Sequence, residues 1–129
     1  MIRGSIDSNV ILRLLVNEVP AQYDAARRLL ASGEFVVSDI AVIETCFVLG
    51  RVYQLDRNQQ VHAMLGFLAQ PNIHADLARF VGVFAGYVEH PTLSLEDCYL
   101  VAVAAEDGPP LFTFDRKLAG QVGGAAVVK

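Results

Sequence analysis

The fold is first indicated by residues 2–15, which read IRGSIDSNVILRLL. Residues 2–6 predict a short strand. Asp7, Ser8 and Asn9 follow, three consecutive residues of types that cap the N-termini of helices. The apolar run that begins at Val10 predicts a helix. A strand that leads through capping residues directly into a helix is typical of an α/β domain.

The rest of the chain repeats this alternation of short apolar strands and helices. Further strands are predicted at 35–37, at 111–114 and, as an edge strand, at 126–128. Helices are predicted from Pro20, from Ser38, over 57–69, over 76–88, from Ser94 to about Ala105, and from Asp115. The alternation implies a parallel central sheet flanked by helices. Since no linker or repeat interrupts it, residues 1–129 are expected to form one α/β domain.

Composition restricts the classes of protein to consider. Hydrophobic residues make up 53% of the chain, which is rich for a soluble monomer and favours a partner interface. No apolar run approaches the ~18 residues needed to span a bilayer, and the start lacks a secretory apolar region. We therefore expect a cytoplasmic protein without membrane contact. Cys46 and Cys98 lie in apolar helical patterns, which predicts buried thiols rather than a disulfide or a zinc site.

The net charge of −4 argues against strong non-specific affinity for nucleic acid. It does not exclude a nuclease. Four of the acidic residues, described next, are candidates for binding a metal ion. Without them, ten acidic residues are balanced by ten basic ones.

The four acidic residues are Asp7, Glu44, Asp97 and Asp115. Asp7 and Asp115 directly follow predicted strands, and the carboxyl ends of parallel strands are where ligands bind in open α/β sheets. Asp97 stands three residues after Ser94. Each of the three aspartates has an alternative explanation, because helix capping alone would account for it.

Glu44 lies inside an apolar helix. A helix that buries Ile40, Ile43 and Phe47 would hold Glu44 at or beside its buried face, where an unpaired glutamate is rare. A metal ion would satisfy this carboxylate, and Arg51 offers an alternative partner two turns later.

Taken together, the four acids favour a cation. Two carboxylates about 5 Å apart at an effective dielectric of about 20 repel by on the order of 3 kcal/mol, more than helix N-termini offset. Oxygen ligands of this kind favour hard cations such as Mg²⁺ or Mn²⁺. The sequence therefore predicts a metal-dependent enzyme of phosphoryl transfer.

Four segments carry a resemblance to a known family: 6–11, 38–44, 95–104 and 111–118. In order and spacing they resemble the motifs of PIN domains, and in particular of the VapC-type ribonuclease toxins of bacterial toxin–antitoxin pairs. The resemblance covers essentially the whole chain. It implies a PIN-like fold and an Mg²⁺- or Mn²⁺-dependent endoribonuclease. It also implies a homodimer and a small antitoxin protein that obstructs the active site.

The resemblance further implies a set of site residues. Asp7, Glu44, Asp97 and Asp115 would be both the metal ligands and the catalytic acids. Asn9 and Thr113 match polar positions that line such sites, and Arg116, beside Asp115, is a candidate RNA contact. One position departs from the pattern, because Lys117 stands where many relatives carry a further acid. A second metal position is therefore in question.

Other assignments fit the sequence less well. A phosphatase of the haloacid dehalogenase type needs a second aspartate where Asn9 stands, and a receiver domain needs an acidic pair that the chain lacks. His62, His74 and His90 share no spacing with one another or with a nucleophile. The main alternative is a catalytically inactive PIN-like binding or scaffold module, against which the presence of all four acids argues.

Overall fold

A computed structural model describes the whole chain, Met1–Lys129. It divides into two compact units, Met1–Leu77 and Ala78–Lys129, which are described in turn. None of its helices has the length and apolar character that crossing a bilayer requires.

The first unit is built on a parallel sheet with helices between its strands. Its elements are β1 (Ile2–Ser5), α1 (Ser8–Leu15), α2 (Pro20–Ala31), β2 (Glu34–Val36), α3 (Asp39–Arg51), α4 (Arg57–Leu68) and β3 (Ile73–His74). The sheet order is β1-β2-β3, and both pairings are parallel. The predicted parallel α/β architecture is confirmed. Strand β3 was not predicted, since two residues are too few to leave a pattern in the sequence.

Local side-chain capping explains where three of the four helices of this unit begin, and α2 begins instead at Pro20. The Asp7 carboxylate accepts a hydrogen bond from the Val10 backbone N–H at 3.1 Å, and Ser38 Oγ accepts one from Ala41 N–H at 3.2 Å. Asp56 and Gln59 form a reciprocal capping box at the start of α4. Asp7 and Ser38, placed just before apolar runs, are what made the starts of α1 and α3 predictable.

The second unit contains three helices and a two-stranded sheet. The helix α5 (Leu77–Glu89) starts at the unit boundary and is followed by α6 (Leu95–Asp107), β4 (Leu111–Thr113), α7 (Arg116–Gln121) and β5 (Ala125–Val127). Strands β4 and β5 pair in parallel, with Leu111 opposite Ala125. Phe80 and Phe84 are fully buried, with ring centroids 5.4 Å apart. Gly108 turns the chain out of α6 with a φ of +94°, a conformation that favours glycine.

The predicted buried face of α3 is wrong. Ile40 and Phe47, expected to be buried, are 67% and 60% exposed, and Glu44 is exposed with them. The buried positions are Ala41, Val42, Thr45, Cys46 and Leu49. The helix is apolar on two sides, so periodicity alone does not say which side faces the core. Glu44 consequently needs no cation to compensate its burial.

The prediction for the cysteines is confirmed, because Cys46 and Cys98 are both buried. Burial raises the pKa of the Cys46 thiol to about 12. A thiol in this state is a poor nucleophile at neutral pH.

Candidate functional site

Asp7 lies just beyond the carboxyl end of β1, where the chain leaves the sheet. The Ile6 N–H donates to the Val36 carbonyl at 3.0 Å and continues the pairing with β2 by one residue. Asp7 then caps α1 through Oδ1 and is exposed. The cap fixes one carboxylate oxygen, and the other, Oδ2, accepts no hydrogen bond from the protein.

Ser8 links Asp7's neighbourhood to Glu44. Ser8 Oγ donates a hydrogen bond to Glu44 Oε2 at 3.1 Å, joining the first residue of α1 to the middle of α3. Because Ser8 directly follows Asp7, this bond holds the Glu44 carboxylate at the same end of α1 as the Asp7 carboxylate. No catalytic role was predicted for Ser8, since no histidine is placed to form a triad with it. Its position directly after a proposed metal ligand was the available signal.

Asn9, predicted to line the site, is exposed at the start of α1. It borders an open groove of about 590 Å³ between α1 and α2, whose lining also includes Arg13, Gln22 and Leu29. Arg13 forms an ion pair with Glu18 at 3.4 Å. The groove is therefore mixed in character, with polar groups beside apolar ones.

In the second unit, Asp97 lies in the first turn of α6 and is partly exposed. Its backbone N–H donates to Ser94 Oγ at 3.1 Å. Ser94 is thus the cap, as expected from the spacing. Since Ser94 Oγ bonds the Asp97 backbone, capping by Ser94 does not depend on the Asp97 carboxylate.

Asp115 follows β4 and caps α7. Its Oδ1 accepts from the Lys117 N–H at 2.9 Å and from the Leu118 N–H at 3.1 Å. The Asp115 N–H donates in turn to Thr113 Oγ1 at 3.0 Å. Both bonds to the carboxylate use the same oxygen, so Oδ2 accepts no hydrogen bond from the protein. Thr113, predicted to line the site, here orients the backbone of Asp115.

Arg116 and Lys117 are both exposed beside Asp115. Arg116 borders an open groove of about 650 Å³, together with Gly120, Val127 and Lys129. Two cations therefore lie next to a candidate metal ligand, a charge arrangement suited to phosphate.

The four acids are divided between the two units. The first unit supplies Asp7 and Glu44 near Ser8, and the second supplies Asp97 and Asp115. No group of three or more His, Cys, Asp or Glu side chains is close enough to hold a metal ion. The donors present are all carboxylate oxygens, the type that Mg²⁺ and Mn²⁺ prefer. The donor chemistry therefore fits the predicted metal, while neither unit alone forms a complete metal site.

Comparison with known proteins identifies a family match. Residues 5–122 match the family model of the PIN domain. No curated protein sequence matches the chain.

Proposed function

The chain belongs to the PIN-domain family, a nuclease fold that is generally metal-dependent, and we propose on this basis that it is an Mg²⁺- or Mn²⁺-dependent endoribonuclease. Asp7, Glu44, Asp97 and Asp115 are the proposed metal-holding and catalytic acids. Asn9, Thr113 and Arg116 are proposed to contact or orient the substrate.

The observation that carries this proposal is the Ser8–Glu44 hydrogen bond. An exposed glutamate in a helix ordinarily samples many rotamers. Here the bond to Ser8, the residue after Asp7, restrains the Glu44 carboxylate, and the cap that Asp7 forms restrains the second carboxylate. Two pre-oriented acids at the end of a parallel sheet strand form the expected start of a metal site.

Each residue has a definable part in the proposed reaction. A bound Mg²⁺ or Mn²⁺ lowers the pKa of a water molecule and stabilises charge on a phosphodiester. Asp7 and Asp115 use Oδ1 to cap their helices, which leaves Oδ2 without a hydrogen bond from the protein. Ser8 holds the Glu44 carboxylate in place. The Arg116 guanidinium is suited to bind a phosphate oxygen of the RNA.

We further propose that the protein is a cytoplasmic toxin, that it forms a homodimer, and that a cognate antitoxin binds it. Exposed apolar side chains of the second unit support a protein partner, among them Val81 at 52%, Leu100 at 50% and Phe112 at 67% exposure. Apolar surface of this kind is favourable to cover.

The direct test is cleavage of a structured RNA pool by the purified chain with Mn²⁺, with Mg²⁺ and with EDTA. We expect cleavage that needs metal and is lost in Asp7→Asn and Asp97→Asn proteins that remain folded. Cleavage that persists in both variants, with contaminating nucleases excluded, would refute the assignment of these acids.

A matched pair of variants tests the observation that carries the proposal. Ser8→Ala removes the hydrogen bond to Glu44 and should lower kcat/KM by about tenfold, the effect of about 1.4 kcal/mol, near the lower end of the range for hydrogen bonds to charged groups. Ser8→Thr keeps a hydroxyl and should retain most of the activity. Equal activity of Ser8→Ala and wild type would show that the bond has no part in catalysis.

Metal titration distinguishes the proposed nuclease from the alternative, an inactive binding or scaffold module. If protein free of any antitoxin neither cleaves RNA nor binds Mn²⁺ in calorimetry, the nuclease proposal fails and the alternative stands.

A further inference from the structure

One face of α3 carries exposed side chains on successive turns, with the order Ile40, Glu44, Phe47 and Arg51. The intervals of four, three and four residues place them along a single face of the helix. We call this row the α3 stripe. Its apolar members are among the most exposed large hydrophobic residues of the first unit, Ile40 at 67% and Phe47 at 60%.

The stripe combines three kinds of chemistry. Glu44 is a carboxylate restrained by Ser8. Phe47, one turn later, is an exposed aromatic ring. Arg51, one further turn along, is an exposed guanidinium. Neighbouring positions of such a row have Cβ atoms about 5–6 Å apart, a step that one nucleotide of an extended single strand covers.

We propose that the α3 stripe binds single-stranded RNA, with an unpaired base stacked on the Phe47 ring and a phosphate bound by the Arg51 guanidinium. The inference rests on the proposed function, because it takes Glu44 as an acid of the metal-dependent site. It adds two substrate-positioning residues to that site.

The charges of the stripe favour RNA over a protein partner. Covering Phe47 with an apolar protein surface would also cover Glu44 and Arg51, and each charge would then need a paired group. RNA supplies what Phe47 and Arg51 require. Unpaired bases stack on aromatic side chains, and phosphate oxygens accept paired hydrogen bonds from a guanidinium.

The chain contains no tryptophan, which allows a direct test. Phe47→Trp places a single indole fluorophore on the stripe and keeps an aromatic face. In an Asp7→Asn background, which prevents cleavage, a mixed-sequence single-stranded RNA pool should quench this fluorescence saturably. Ala31→Trp, at an exposed position of α2, is the matched control and should show no saturable quenching.

Kinetics on the otherwise wild-type protein separate binding from folding. Phe47→Leu keeps an apolar side chain but removes the aromatic face, and it should raise KM for single-stranded RNA about tenfold, within the range for loss of one stacked base. Arg51→Gln should raise KM and flatten its salt dependence. In both variants kcat and the thermal midpoint should change little, since these positions are exposed.

The outcomes distinguish the stripe from the proposed function. If the wild type cleaves RNA with metal and both variants keep its KM, the stripe proposal is overturned and the nuclease stands. Saturable quenching in a chain whose wild type never cleaves RNA would support the stripe as an RNA surface and overturn the nuclease. If Phe47→Leu changes the sedimentation behaviour from dimer to monomer while RNA binding is unaltered, a second copy covers the stripe and the proposal is wrong.

Discussion

At the scale of single residues, Asp115 combines a structural role with a proposed catalytic one. Its Oδ1 satisfies two backbone N–H groups of α7, the Lys117 N–H and the Leu118 N–H, and Oδ2 is open in the sense that it accepts no hydrogen bond from the protein. The same division between a capping oxygen and an open one occurs at Asp7. The aspartates were identifiable in the sequence because each follows a strand, but sequence alone left capping and catalysis as alternatives. The structure indicates that the two roles are compatible, since they use different oxygens.

Two substitutions at Asp115 separate these roles. Asp115→Asn keeps a capping oxygen but removes the charge, so it should abolish metal-dependent cleavage while the free energy of unfolding stays nearly unchanged. Asp115→Ala removes the cap as well and should cost about 1 kcal/mol of stability. Urea unfolding and RNA cleavage assays on both proteins measure the two effects. An active Asp115→Asn enzyme would show that this carboxylate only caps the helix.

At the scale of elements, the helix starts and most strands were predictable because their signals are local. Ser38 and Ser94 are residues of capping type, and each directly precedes its helix. The orientation of α3 was not predictable. Apolar residues occupy both of its sides, so the choice of buried side depends on which neighbours pack against it. Which side of α3 is buried therefore has to be tested by substitutions in α3.

A pair of truncations on α3 tests its corrected orientation. Leu49 is fully buried, and Leu49→Ala should lower the free energy of unfolding by about 2–5 kcal/mol. Ile40 is 67% exposed, and Ile40→Ala should change it by no more than about 0.5 kcal/mol. Urea midpoints of the two variants compare them directly. A larger loss of stability in Ile40→Ala than in Leu49→Ala would support the orientation expected from the sequence, with Ile40 buried.

The sheet of the first unit should depend on pH through an ion pair between β2 and β3. His74 Nε2 and Glu34 Oε1 are 2.7 Å apart, and this hydrogen bond lowers the pKa of Glu34 from its ordinary 4.5, with a further contribution from the N-terminal amine. A carboxyl with a lowered folded pKa stabilises the fold above the unfolded value. That contribution is fully present above pH 4.5 and is lost as the pH falls through the folded pKa.

Glu34→Gln tests this dependence. The variant cannot ionise at this position, so its urea midpoint should fall less steeply than that of the wild type as the pH is lowered below 4.5. Glu89→Gln, which removes a carboxylate in another exposed position, serves as the control and should keep the wild-type slope. Parallel slopes for wild type and Glu34→Gln would contradict the assignment.

At the scale of the whole molecule, the sequence predicted the parallel α/β architecture and a family membership that the comparison confirmed. The sequence could not predict which side chains contact one another across the fold, because capping signals and periodicity describe only neighbours along the chain. The Ser8–Glu44 bond joins residues 36 positions apart, and no local pattern encodes that distance.

Metal binding should be measurable as stability of the whole chain. A cation that binds only the folded state stabilises it by about 2.7 kcal/mol at a hundred times its Kd. We therefore expect Mn²⁺ to raise the thermal midpoint of the wild type and EDTA to reverse the increase. Asp7→Asn and Asp97→Asn should each reduce the shift. An equal shift in wild type and both variants would place Mn²⁺ on other groups.

The shared use of the Asp7 and Asp115 carboxylates also has an evolutionary consequence. If a descendant of this chain lost its need to cut RNA, selection for a stable fold would still act at both positions, because each side chain begins a helix. Such a descendant should accumulate Asn, Ser or Thr there rather than Ala or Leu. Glu44 caps no helix and is exposed, so the descendant should tolerate almost any residue type that is compatible with an exposed helical position there. The pattern of replacement at these positions would therefore record whether a lineage had abandoned catalysis.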